Sequence, residues 1–336
     1  MASAREWMEG ARLRTLPASV SPVLAGSLAA WFTSRYNTGP RLDDFMALLV
    51  LFLCLIVGVG FQVGCNFAND YSDGVRGTDQ NRTGPMRLVG SGATQPQSVK
   101  RAAWISFAVA CLAGFLLVVP PMFNSEPGEL AVSIVLILVG IACVLAAWFY
   151  TGGKRPYGYV GLGEISVFIF FGLVATIGTA VIQTRQICVS CSCPPPSIGC
   201  PTCIDYIAWV PIVVTAIVMG CFATAILVAN NLRDLSSDAC AGKRTFAVRI
   251  GANRTRVFYV GLVGVAGIGV VILGWLTSWF VLIGLAGLAL LIPSIRRVVA
   301  GGVGAELVGV LKWTGLAELA TAVLLGLGWG IGWLSD

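Results

Sequence analysis

Histidine is absent from this chain, and charged residues make up only 11% of it, against 57% hydrophobic. Without imidazole, and with no cysteine inside the acidic clusters described below, a zinc or iron centre is disfavoured there. The scarcity of charge excludes more. Soluble domains carry about 25% charged residues, so a chain with a mean hydropathy of +0.84 is read as an integral membrane protein. Strand-like alternation is also missing, while apolar runs approach the ~20 residues that cross about 30 Å of hydrocarbon. Lipid offers backbone groups no hydrogen-bond partners, so the spans must be helices. No cleavable leader is evident: residues 1–16 are polar, carry Arg5, Arg12 and Arg14, and hold no apolar core ahead of a cleavage site.

Apolar spans are expected at about 17–34, 45–68, 102–122, 130–151, 163–183, 206–232, 256–275, 279–295 and 313–334. That is an all-α polytopic bundle of nine transmembrane helices; the seventh and eighth spans are nearly continuous, which leaves eight as the other count. The net charge of +6 follows topology rather than a nucleic-acid partner. Of the 22 Lys and Arg, 19 fall in the N-terminus and alternate loops, leaving Arg35, Arg41 and Arg185 on the other side. The positive-inside rule puts the N-terminus on the cytoplasmic side, and an odd span count sends the C-terminus outside.

What the chain does have is two polar stretches that no lipid-facing helix could tolerate: Asn66-Phe67-Ala68-Asn69-Asp70-Tyr71-Ser72-Asp73, continuing to Asp79, and Asn230-Asn231-Leu232-Arg233-Asp234-Leu235-Ser236-Ser237-Asp238. Each ends a long apolar run, on the expected cytoplasmic side, and together they hold five of the sixteen acids. A carboxylate in mid-bilayer costs roughly 2.5–3.5 kcal/mol on insertion scales, so such clusters need cations and a wet or protein-lined cavity. Asn66, Asp70 and Asp73 follow i, i+4, i+7 and share one helix face. Asn231, Asp234 and Asp238 nearly repeat the pattern. Hard oxygen ligands in twos and threes suit Mg²⁺ bound through one or two carboxylates plus waters or substrate phosphates. With Arg82, Arg87, Lys154, Lys243 and Arg244 nearby, two such clusters on a shared cavity make a site for a diphosphate. The metal and the cations neutralise it as a leaving group. Either cluster alone reads equally well as helix-end acids paired with nearby Arg; two at corresponding places, each followed by Gly and basic residues, favour the site. Glu164 is expected to open a helix, and Glu318 to pair with a neighbour or line the cavity. An allylic cation needs aromatic faces, for which Trp148, Phe149, Tyr150, Phe168, Phe170 and Phe171 form a pool, though each also reads as ordinary packing.

The stretches Asn69-Asp70-x-x-Asp73 with Asp79, Asp234-x-x-x-Asp238, and Tyr150-Thr151-Gly152-Gly153-Lys154-Arg155 resemble the motifs of the UbiA superfamily of intramembrane prenyltransferases. Within it, the segments 66–74, 84–88, 230–234 and 242–245, with the opening 12–18, are similar to the branch that prenylates 1,4-dihydroxy-2-naphthoate. The resemblance runs over nearly the whole chain as a single domain, 1–336. It implies nine helices around a central cavity opening to the cytoplasmic side of a bacterial cell membrane. The implied activity is Mg²⁺-dependent transfer of a polyprenyl group from its diphosphate, with loss of the acceptor's carboxylate as CO₂ to give demethylmenaquinone. By position, Asp70, Asp73, Asp234 and Asp238 would hold Mg²⁺-diphosphate. Asn66, Asn69, Arg82, Arg87, Lys154, Asn231, Lys243 and Arg244 would bind phosphate oxygens, and Tyr150 would lie near the reacting carbon. Asp79, six residues beyond Asp73, falls off that helix face.

One segment departs from the family. Cys188, Cys191, Cys193, Cys200 and Cys203 crowd the Cys/Pro-rich loop at 186–205, on the outer side by the topology above. Disulfides persist there, five thiols leave one over, and the C-x-x-C spacing also fits a zinc ribbon or redox chemistry. The other six cysteines read as small apolar fillers. Two other functions remain open: the same fold acting on hydroxybenzoate, homogentisate or haem, and a secondary transporter, which would place its acids near the bilayer midplane.

Overall fold

A computed structural model describes residues 2–36, 44–78, 86–123, 129–189 and 206–335. Helix α1 (Ala4–Ala11) begins at a capping box: the Ser3 hydroxyl accepts from the Glu6 amide while Glu6 accepts from the Ser3 amide. Arg12, at φ 53°, ends it in the left-handed region. A 3₁₀ turn (Leu13–Thr15) then leads into α2 (Pro17–Tyr36), with a 49° bend between the two arms. The Trp7 ring meets Phe67 edge-on at 5.6 Å, laying α1 over the far end of α3 (Asp44–Val75). That helix runs two turns beyond the apolar stretch that ends near 68, so the whole of 66–75 is helical.

Helices α4 (Pro96–Val118) and α5 (Glu129–Phe149) follow; α4 opens with Pro96, whose missing N–H leaves nothing unsatisfied in a first turn. The next span is α6 (Gly163–Val167), a π-helical segment (Phe168–Val174) and α7 (Ala175–Val189) in sequence. A Cβ on Gly172 would come within 2.3 Å of the Gly220 Cα, so the π segment presses its backbone directly against α8 (Tyr206–Arg233). Close approach of this kind drives helix association in lipid, where burying apolar surface gains little. Helix α8 is the hub: 72% of its most apolar stretch is buried, against 11% for α5 at the periphery.

Beyond the short α9 (Leu235–Cys240), α10 (Phe246–Leu276) is kinked at Gly251, whose φ of 81° is non-helical. The chain breaks at Thr277–Ser278 and returns through a 3₁₀ turn (Trp279–Gly284), α11 (Leu285–Ala289) and α12 (Ile292–Val299). Leu282 sits where a Cβ on Gly274 would be, 2.7 Å away, so the seventh and eighth spans fold back on each other as separate elements. Finally α13 (Val308–Ser335) packs against α2, α8 and α11, tied to α10 by a buried Tyr259–Thr314 hydroxyl pair at 2.8 Å. Among the described residues seven helices are long and apolar enough to cross a bilayer, and up to nine if the two bent pairs each count as one. No strand occurs among them. The Cys/Pro-rich loop at 190–205 lies outside the described residues; helix continues to Val189, past the expected loop start at 186.

Candidate active site

The two polar segments end in the same backbone device. At α3, the Gly77 amide donates to the Gly74 carbonyl and the Thr78 amide to the Asp73 carbonyl, with Gly77 at φ 71°. At α9, Gly242 donates to Ala239 and Lys243 to Asp238, with Gly242 at φ 73°. Both are Schellman caps, in which glycine takes the left-handed position that a side chain would strain. Asp73 and Asp238 thus occupy equivalent places in the last turn. A carboxylate there faces the negative end of the helix dipole, so it needs positive charge from elsewhere.

Asp73 finds that charge across the fold. Its carboxylate, 3% exposed, lies 3.2 Å from the Lys243 ammonium and 3.7 Å from the Arg87 guanidinium, and accepts the Tyr159 hydroxyl hydrogen. One side chain therefore joins the first segment, the stretch after 85, the turn after α5 and the second segment. The turn itself, 150–162, is closed by the Gly158 amide on the Tyr150 carbonyl and held to the second segment by the Arg244 amide on the Tyr159 carbonyl (2.9 Å). Arg76, one turn beyond Asp73, donates to the Thr151 and Gly153 carbonyls and lies over the Tyr159 ring, as does the Lys243 ammonium at 4.8 Å. Burial and the Asp73 carboxylate hold the Tyr159 phenol well above its ordinary pKa, so it stays a donor. Burial pushes Tyr157 up to about 12; its hydroxyl donates to the Ala146 carbonyl at 2.7 Å.

The other expected residues divide. Asp70, 1% exposed, accepts the Leu88 and Val89 amides at 2.8 and 3.1 Å, clamping the stretch that carries Arg87. The Asn66 amide donates to the Ala11 carbonyl and the Thr15 hydroxyl, so it anchors the N-terminal arm; Asn69 accepts from Thr151 at 2.8 Å. Asp234 accepts from two guanidinium nitrogens of its neighbour Arg233, Nε and Nη2, each at 2.7 Å, and Arg233 also reaches Asn230. Asn231 donates to Glu164 at 2.8 Å. Tyr150 meets Tyr157 edge-on at 5.4 Å, and the carboxylates of Glu164, Asp73 and Asp238 all act electrostatically on its phenol. The Lys154 and Arg244 side chains are exposed. Arg82 and Asp79 lie outside the described residues.

Trp148, offered as a face for a cation, packs against Trp104 at 4.7 Å and beside Tyr71, beneath Lys100. Phe149 is 48% exposed, and Phe168 fills the space above Gly220. Tyr159, Arg76 and the buried Glu164 are contributions that sequence reasoning missed. Arg76 had a signal, three residues past Asp73 on one face; Tyr159 had none, since its partner lies 86 residues away. Glu164 opens α6 as expected, yet it is buried, and Glu318 is fully buried with neither oxygen hydrogen-bonded among the described residues. Cys54, Cys65, Cys111, Cys143, Cys221 and Cys240 are free thiols.

No group of three or more Asp, Glu or Cys side chains gathers closely enough for a protein-only metal cage among the described residues. The donor set suits a different arrangement. Lys243 and Arg87 stand beside the Asp73 carboxylate, and hard oxygens with cations at hand fit a divalent ion carried largely by phosphate oxygens and touched by one or two carboxylates.

Known proteins agree with this architecture. The chain is 41% identical over 336 residues, all of both chains, to 1,4-dihydroxy-2-naphthoate octaprenyltransferase of Mycobacterium tuberculosis. Its fold matches a UbiA homolog from Aeropyrum pernix K1 (TM-score 0.58, 14% identity, 93% of this chain and 97% of that one). It also matches a UbiA homolog from Archaeoglobus fulgidus bound to GPP and Mg²⁺ (TM-score 0.56, 12% identity, 95% and 99%). The model of the UbiA prenyltransferase family matches residues 19–306, and the chain belongs to that family.

Proposed function

We propose that this protein moves a polyprenyl group from its diphosphate to 1,4-dihydroxy-2-naphthoate, with loss of CO₂, in menaquinone biosynthesis. The full-length relative carries that activity in its name, and the observation that supports the chemistry here is the Asp73 junction with Lys243, Arg87 and Tyr159. The reaction needs a diphosphate drawn off an allylic carbon. Lys243 and Arg87 hold positive charge where the leaving group's charge develops, in a site shielded from water, and Tyr159 keeps Asp73 aimed between them. Mg²⁺ would be held with the diphosphate by Asp70, Asp73, Asp234 and Asp238, and when bound it neutralises the departing oxygens. Asp70 is already engaged by amides, Asp73 by Lys243, Arg87 and Tyr159, and Asp234 by Arg233, but a carboxylate has about four lone-pair sites. Each therefore keeps acceptor capacity. Asn66, Asn69, Asn231, Arg82, Lys154 and Arg244 complete the diphosphate-binding set in this reading.

The C–O bond to diphosphate breaks with its electron pair leaving on oxygen. The prenyl carbon bonds to the naphthoate ring carbon that bears the carboxylate, and CO₂ departs, leaving the quinol form of demethylmenaquinone. Tyr150 presents its ring to the reacting carbon. The chain is integral to the membrane; we place it in a bacterial plasma membrane with the N-terminus cytoplasmic and the C-terminus outside, as one prenyltransferase domain with an outward loop at 190–205. Incubating the purified protein with dihydroxynaphthoate and prenyl diphosphates of several lengths, with products read by mass, tests this. Prenylated, decarboxylated product that disappears on chelation and returns with Mg²⁺ supports it; prenylation of hydroxybenzoate or homogentisate instead would replace the acceptor.

A further inference from the structure

Glu164 is an unexplained charge. It stands in the first turn of α6, where a carboxylate is normally solvated and favoured by the helix dipole. Here it is 5% exposed, one oxygen accepts the Asn231 amide at 2.8 Å, and Oε2 has no hydrogen-bond partner among the described residues. A buried acceptor left unsatisfied costs about 1–3 kcal/mol, and more when charged. The position is also built. Gly163 leaves room for Tyr150, whose hydroxyl would stand 2.9 Å from a Cβ there, with Leu227 forming an apolar wall at 3.4 Å. Of all the charges acting on the Tyr150 phenol, Glu164 is the strongest. Asn231, one residue beyond the Asn230 that Arg233 grips, fixes the carboxylate's orientation.

We infer that Glu164 recognises the aromatic acceptor: its open oxygen accepts a hydrogen bond from a ring hydroxyl while Tyr150 and Leu227 flank the ring. This deepens the proposed function and rests on it. A phenolic donor suits the place chemically. The diphosphate has only acceptors and would be repelled by a second buried carboxylate, whereas a hydroxylated ring supplies the missing donor and tolerates apolar walls. It also gives the two substrates different partners, with cations around Asp73 for the anionic donor substrate and the unpartnered Glu164 oxygen beside Tyr150 for the hydroxylated one.

The test measures steady-state constants for both substrates, plus inhibition by naphthoates lacking one or the other hydroxyl, in wild type, Glu164→Ala and Glu164→Gln. Glu164→Ala should raise KM for dihydroxynaphthoate about tenfold or more, because a site built to bond a hydroxyl loses its selectivity without the acceptor atom. KM for the prenyl diphosphate should stay within about twofold, and the preference for the dihydroxy ring over one monohydroxy analogue should collapse. Glu164→Gln, nearly isosteric, should fold normally and retain part of that preference through its amide oxygen. Equal shifts in both KM values, or an unchanged preference in both variants, would overturn the inference while leaving the prenyl transfer intact. A wild-type protein that ignores dihydroxynaphthoate would sink the functional reading, and this inference with it.

Discussion

The two aspartate segments look alike in sequence and share a helix-ending cap, yet they are held by opposite means. Around the first, Asp70 takes amides from residues 88 and 89, and Asp73 takes a phenol from 159 and a cation from 243. Around the second, Asp234 is satisfied by Arg233, its immediate neighbour, and the cap returns Lys243 to Asp238 five residues earlier. The first segment draws its aspartates' partners from distant stretches; the second pairs Asp234 with its own neighbour, reaches Glu164 through Asn231 and lends Lys243 to the first. A pair of like motifs is therefore one site whose two halves are anchored differently.

Removing the shared charge should have the largest effect. Asp73→Asn should lower turnover about a thousandfold, the scale of losing an electrostatic group that acts on developing charge. The protein should still insert and bind detergent micelles as a folded monomer or oligomer, checked by size exclusion; near-normal turnover would contradict the junction's role. Next comes Asp234→Asn, which strands the buried Arg233. Breaking a buried pair by removing one partner costs about 3–5 kcal/mol, so this variant should melt well below wild type as well as lose activity. Asp70→Asn should cost roughly 1–3 kcal/mol, since an amide satisfies at most part of what the Leu88 and Val89 amides require. Its thermal shift should be smaller than that of Asp234→Asn; the reverse order would mean that the Asp70 anchor is the stronger of the two.

Tyr159→Phe should cost about 1 kcal/mol of stability and lower turnover by less than Asp73→Asn. The sign with pH follows from the raised phenol: its bond to Asp73 contributes fully below the unfolded tyrosine value of about 10 and is lost as pH rises towards the higher folded value. Wild type should therefore lose a stability increment above about pH 10 that the Phe variant lacks, visible in melting scans. Smallest of all, replacing Cys188, Cys191, Cys193, Cys200 and Cys203 together by Ser should leave turnover within about twofold, since these thiols lie at the far end of the span from Asp73 if the topology holds.

The spans were legible because bilayer thickness sets their length and only helices satisfy their backbones; each expected range overlaps a helix or a bent pair, while α3, α4, α7, α10 and α13 extend about five to ten residues past an expected end, mostly into polar sequence. Those extensions matter. The window for apolar residues closes near 68, but the helix persists while its polar face is buried against α1 and the stretch after 85. The site was partly legible. Spacing put Asn66, Asp70 and Asp73 on one face, while the caps at Gly77 and Gly242 came only with the structure. Spacing could not say that Asp70 would clamp backbone amides, nor that Lys154 would stand exposed while Arg76 reached inward, because those outcomes depend on which turn meets which helix end.

Composition, span length and the acids at helix ends were settled by local rules: lipid excludes charge, a helix repeats every 3.6 residues, and glycine alone takes the left-handed cap without strain. The tertiary structure alone decided who neutralises whom. Coulomb attraction falls only slowly with distance in a dry interior, so Asp73 takes its partners from wherever packing brings them, and packing brought Lys243 and Tyr159 from segments far along the chain.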